Sequence, residues 1–269
     1  MKRAIYSTLF IFCVLAFANA QETDPKATEV WEPVPEKVVP GAYQYSSAPS
    51  DAVVLFDGTD LSKWKKPKYT YGGDMKSVRE VLEKKIPNID EGTPPEWEVK
   101  DGAMIVKPRS GPIETIQKFG DMQLHLEFLS PYDPGKKGQQ YSNSGVFLMG
   151  IYEVQVLNSY ENTTYPNGQA GAVYKQHIPL VNASRPPGEW QTYDMVFMTP
   201  KFNEDGSLKS PATLTVFHNG VLIQNNVSIE GPCLYIGKPS YIPHPEKMPL
   251  LLQDHGDKVR FRNIWVREI

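Results

Sequence analysis

The feature that most constrains this chain is a two-residue rhythm of apolar and polar side chains, broken by tight-turn dipeptides and rarely by a helical period. In LHLEF, Leu124, Leu126 and Phe128 face one way while His125 and Glu127 face the other. Similar segments are SGVFLMG, YEVQVLNS, GAVYKQH, WQTYDMVFM, PLLLQDH and VRFRNIWVRE. Asp101-Gly102 and Asn219-Gly220 sit between such runs, and these pairs accept the left-handed conformations that two-residue hairpins need. The expectation is an all-β protein, an antiparallel two-sheet sandwich, with a closed barrel as the alternative. Helical segments do not alternate with strands, which argues against a doubly wound α/β fold.

Three regions divide the 269 residues. Residues 1–20 read as a signal peptide: Lys2 and Arg3, then a long apolar run, then Ala18-Asn19-Ala20 as a small-residue cleavage site. Export to a periplasm or the medium follows, with Gln21 as the new first residue. Cys13 would leave with that segment, so Cys233 has no intrachain partner. Residues 21–50 read as a Pro-rich arm, held to the domain through Trp31 and Tyr43. Residues 51–269 read as the β domain. Within it, 67–96 looks like an insertion carrying one short helix, with apolar residues at 78, 81, 82 and 86 and a capping box formed by Ser77 and Glu80. A net charge of −3 gives no basic field for nucleic acid, and no later apolar run is long enough to span a membrane. Three glycosylation sequons, at Asn162, Asn182 and Asn226, matter only in a eukaryotic source.

The strand IYEVQVLNSY raises the chemical question. Its parity places Glu153 and Gln155 on one side and Tyr152, Val154 and Val156 on the other. A buried, unpaired acid is costly, so Glu153 and Gln155 are expected on an outer face where a ligand can meet them. The competing reading is a solvated or ion-paired strand residue. Asp254 and His255 stand where a strand enters a turn closed by Gly256, a place from which a scaffold can aim functional groups. His125 with Glu127 forms a third same-face pair, Lys175 shares parity with His177, and Arg262 shares a face with Arg260. Arg262 could hold a sugar oxyanion or pair with Glu153. HExxH, Cys/His metal spacing, GxSxG and the P-loop are all absent.

Six blocks in order carry a resemblance: LFDGTDLSKW, WEVKDGAMIV, NSGVFLMGIYEVQVLNSY, NASRPPGEWQTYDMVF, VFHNGVLIQNN and LLLQDHGDKVRFRNIWVRE. Together they resemble the 3-keto-disaccharide hydrolase family over roughly residues 51–269. The resemblance implies a concanavalin A-like β-sandwich of jelly-roll type, export from Bacteroidetes-type bacteria, and cleavage of 3-keto-glycosides. That cleavage proceeds by 1,2-elimination, with hydration of the resulting glucal in some members. The 67–96 insertion is longer than the family pattern.

The chemistry then has a definite form. A ketone at C3 acidifies the proton at C2, which a carboxylate or imidazole removes as general base. The enolate oxygen needs a fixed positive group: a metal, His255 or Arg262. The expected catalytic residues are Glu153, His255 and Asp254, with Gln155, Glu127, His125, Lys175 and Arg262 binding substrate. A divalent ion such as calcium or manganese would suit the oxygen ligands, although no ligand set is evident. The alternative is a lectin-like carbohydrate-binding module without catalysis, using Trp97, Trp190 and Tyr241 as sugar-stacking surfaces.

Overall fold

The computed structural model describes residues 24–35, 37, 47–69, 73–84 and 90–269. The leader, Tyr43 and Ile86 lie outside the described residues. In chain order the strands are β1 (Val53–Phe56), β2 (Trp64–Pro67), β3 (Gly92–Thr93), β4 (Glu98–Lys100), β5 (Ala103–Ile105), β6 (Ile113–Phe119), β7 (Met122–Leu129) and β8 (Ser144–Leu148). They continue as β9 (Tyr152–Val156), β10 (Trp190–Met198), β11 (Lys201–Phe202), β12 (Leu208–Ser210), β13 (Thr213–His218), β14 (Val221–Ser228), β15 (Met248–Leu252) and β16 (Arg260–Glu268). Among the described residues one α-helix, α1, spans Met75–Leu82.

Two antiparallel sheets form the sandwich. One has eight strands in the order β14-β13-β10-β7-β16-β5-β4, with β1 also paired to β16. The other has six, in the order β3-β2-β6-β15-β8-β9. Strand alternation explains the core between them. Leu124, Leu126 and Phe128 from β7 meet Val146 and Leu148 from β8 and Tyr152, Val154 and Val156 from β9, all buried in one apolar cluster. Tyr193 of β10 crosses the core to donate to the Gln155 carbonyl at 2.8 Å, so the phenol satisfies its polar end inside an apolar layer. Both expected hairpin turns form, with positive φ at Asp101, Gly102, Asn219 and Gly220.

Three local expectations are corrected. The segment GAVYKQH is not a strand. Positive φ at Gly171 and Lys175 breaks it into turns, leaving isolated bridges at Val173. The helix cap is Asp74, whose side chain accepts the Ser77 amide, and Ser77 closes the reciprocal bond; the box lies one turn earlier than Ser77 and Glu80 would place it. In β16 the register slips between Arg262 and Trp265, and Asn263 takes φ 47. That bulge turns Arg262, Asn263 and Trp265 all toward His125 and Glu127, instead of alternating them.

Candidate functional site

The outer face of the six-stranded sheet forms the floor of a cleft of about 370 Å³. Strand register builds that floor in two rows. Glu114 of β6, Leu251 of β15, Phe147 of β8 and Glu153 of β9 stand side by side across four strands. The next row holds Gln253, Gly145 and Gln155, with Gly145 opposite Gln155 and the Gln253 amide bonded to the Gly145 carbonyl at 3.0 Å. Tyr69, Gly73 and Val78 of the insertion wall one side. Tyr174, Cys233 and Tyr235 wall another, and Asp254 and His255 stand at the lining's edge.

Strand β9 lies at the edge of its sheet, and its free backbone groups are taken up by the covering loops. Gln155 N bonds Ala172 O at 3.0 Å, Tyr174 N bonds Glu153 O at 3.1 Å, and Cys233 N bonds Ile151 O at 2.9 Å. The thiol of Cys233 accepts the Glu153 amide at 3.2 Å, and burial raises that thiol's pKa, so it stays protonated. Glu153 is therefore not on a water-washed face, as alternation alone suggested; it is 6 % exposed beneath those loops. Burial pushes its carboxyl up to about 8, and no hydrogen bond from a described residue opposes that shift. At the other end of the same row, Tyr69 donates to Glu114 Oε2 at 2.6 Å and Lys65 lies 3.2 Å from Oε1. Desolvation outweighs both partners and raises the Glu114 carboxyl. In the neighbouring row, the side-chain oxygens of Gln155 and Gln253 are buried without a hydrogen-bond partner. The Gln155 amide nitrogen is held by Gln139 and by the Gly168 carbonyl. The two acceptor oxygens suit the hydroxyl donors of a sugar.

A 3-keto-alpha-glucoside-1,2-lyase-like domain matches residues 51–267. The chain belongs to that family. In solved structures, the lyase-like chain is 44 % identical to a "putative glycosyl hydrolase" from Parabacteroides distasonis, with a TM-score of 0.73 and coverage of 91 % of this chain and 96 % of that one. A second P. distasonis structure with the same description is 17 % identical, at a TM-score of 0.51 over 81 % of this chain and 94 % of the other, and shares the fold. No curated protein matches the chain.

The lyase-like domain brings Glu153, Gln155, Asp254 and His255 into one cleft. Asp254 is committed to the loop itself: its two oxygens accept the Gly111 and Gly256 amides, each at 2.9 Å. His255 is exposed. Lys175 sits behind the wall, where its ammonium bridges the carbonyls of Pro25 at 2.6 Å and Tyr235 at 2.8 Å. It thereby ties the N-terminal arm to a cleft residue. The arm also docks through Asn167, bonded to Val30 N and Thr28 O, and through the edge of Trp31 on Tyr165.

His125, Glu127 and Arg262 are not brought to this cleft. They lie on the outer face of the eight-stranded sheet, where Arg262 Nε bonds Glu127 at 2.5 Å and stacks over Trp190 at 4.0 Å. Arg262 therefore does not pair with Glu153. His125 bonds Asp194 at 2.6 Å and stacks on Trp265. Burial alone would lower the His125 pKa, but Asp194 and Glu127 together lift it to about 9. The expected stacking platforms are committed elsewhere as well: Trp97 is buried against Phe261, Trp190 lies under Arg262, and the Tyr241 hydroxyl bridges Ala212 N and Ile229 O. Sequence reasoning missed Tyr69, Glu114, Gly145 and Gln253. Glu114 had a usable signal, since it interrupts an apolar strand start as Glu153 does.

Proposed function

We propose that this protein is an exported enzyme that cleaves 3-keto-glycosides, with Glu153 as the base that removes the proton from C2. The observation carrying this reading is the Glu153 carboxyl, buried in the cleft floor with its pKa pushed up to about 8 and, among the described residues, no hydrogen-bond donor to hold the charge. A carboxylate formed there is more basic than one in water, as abstraction of a proton next to a ketone requires. The Tyr69 hydroxyl, whose proton goes to Glu114, lines the far side of the cleft as an acceptor for a hydroxyl of the substrate. His255, exposed at the edge of the cleft, hands a proton to the departing aglycone oxygen. The acceptor oxygens of Gln155 and Gln253 hold sugar hydroxyls. Elimination leaves a 2-hydroxy-glucal, and water adding across it completes a net hydrolysis.

The family and the carbohydrate-active neighbour support this assignment over a lectin-like module. So does the commitment of Trp97, Trp190 and Tyr241 to structural contacts. The test is incubation of the pure protein with a chromogenic 3-keto-glucoside and with its unoxidised parent glucoside. Release of aglycone from the keto-sugar alone is expected. Binding of both without turnover would replace this reading by the lectin-like one.

A further inference from the structure

We propose that Gly145 is a positioning residue: by carrying no side chain it leaves the space in which the Glu153 carboxyl lies on the cleft floor. Gly145 is a buried residue of strand β8. Glycine weakens a strand, so its presence there calls for a reason. Backbone freedom is not the reason, because Gly145 is not among the residues with positive φ. Space is. A Cβ built on Gly145 would stand 2.4 Å from Glu153 Oε1, 3.1 Å from Glu153 Cδ and 2.7 Å from the ring edge of Phe147. Carboxyl and ring both lie over the bare Cα, so Glu153 is folded across its neighbour strand instead of standing up into the cleft. The glycine also sits in the row between Gln155, which it faces across the strands, and Gln253, whose amide it accepts. The carboxyl is thus held low, against Phe147 and away from water, between the groups assigned to the sugar.

The inference rests on the proposed role of Glu153, yet it can be tested apart from it. The atoms a new methyl meets are the far ends of side chains, so Gly145→Ala moves the carboxyl and the ring while leaving the strand in place. Carboxyl-carbon NMR, with the Glu153 signal identified by its loss in Glu153→Gln, should show titration near 8 in the parent. In Gly145→Ala it should move down by one unit or more. Turnover of a 3-keto-glucoside should fall about a hundredfold, mostly in kcat, with its pH limb shifted the same way. A titration and a pH profile that match the parent would overturn the proposal. If the parent itself turns over no keto-sugar, the functional reading fails and the NMR titration alone still decides the role of Gly145.

Stability supplies a second route should Gly145→Ala fold poorly. The loss caused by alanine at 145 should be smaller in a Glu153→Ala background than in the parent, because the clashing carboxyl is gone. Equal losses in the two backgrounds would overturn the proposal.

Discussion

Tyr69 and Glu114 share a hydrogen bond of 2.6 Å at one end of the residue row whose other end is Glu153. Tyr69 comes from the insertion and Glu114 from β6, so the extra segment supplies a working wall of the cleft. Tyr69→Phe should keep the fold, since it removes one hydroxyl and leaves the ring. KM for a 3-keto-glucoside should rise by about twofold to tenfold, the size of a lost hydrogen bond to the substrate. The loss should sit in KM more than in kcat. A KM equal to the parent's would take Tyr69 out of substrate binding.

Glu153→Gln should behave oppositely in activity and in stability. Turnover drops about a hundredfold or more, as for a lost general base. The folded protein binds the Glu153 proton more tightly than the unfolded chain does, since its carboxyl sits near 8 against an ordinary 4.5. Burying it therefore costs stability progressively as pH rises from 4.5 toward 8. The Gln variant has no such cost. Denaturant midpoints should converge near pH 4.5 and favour the variant at pH 8 to 9. A parent as stable as the variant at pH 9 would refute the buried-carboxyl account.

Two histidines should shape the pH dependence of the fold from opposite sides. His125, lifted to about 9 from 6.5, contributes stability that is complete below 6.5 and lost as pH rises through 9. Burial, reinforced by Arg185, lowers His218 to about 3, so its contribution is present above 6.5 and lost as pH falls toward 3. With Glu153 added, thermal stability should peak between about pH 5 and 7. His218→Asn should blunt the acid limb, and a variant whose acid limb matches the parent's would contradict the neutral, buried imidazole.

Arg262→Ala separates the far-face network from the cleft. It leaves Glu127 buried with Asn263 and His125 as its remaining neighbours. Stability should drop by about 2 kcal/mol, the size of a lost charge-assisted hydrogen bond. At a temperature where both proteins are folded, kcat and KM should be unchanged. A rise in KM larger than fivefold would return Arg262 to substrate binding.

How far the sequence carried is clear residue by residue. Alternation in β7 and β9 and the two glycine turns expose the sandwich, because each is a local rule. Glu153, Gln155, Asp254 and His255 could be singled out for the same reason: two share a strand face and two a strand end. Parity says which residues share a face, but not which sheet that face belongs to. His125 and Glu127 satisfied the same pattern as Glu153 and Gln155, yet β7 pairs with β10 and β16 while β9 pairs with β8. The burial of Glu153 depends on loops that return from residues 171–174 and 233–235, and no short-range pattern announces that return. Gly145 was invisible because an empty volume has meaning only beside the atom that fills it.

The bridge made by Lys175 bears on the order in which this molecule can assemble. It joins Pro25, 150 residues earlier, to Tyr235, 60 residues later. Contacts so distant in sequence cannot form until the intervening chain has been gathered, and their loop-closure entropy delays them further. The sheets meet the same delay, since β16 pairs Val266 with Val53 of β1 and joins β7 to β5. The sandwich, the docked arm and the Tyr235 wall therefore close together, and a nascent chain still lacking β15 and β16 has neither a complete sandwich nor a finished cleft.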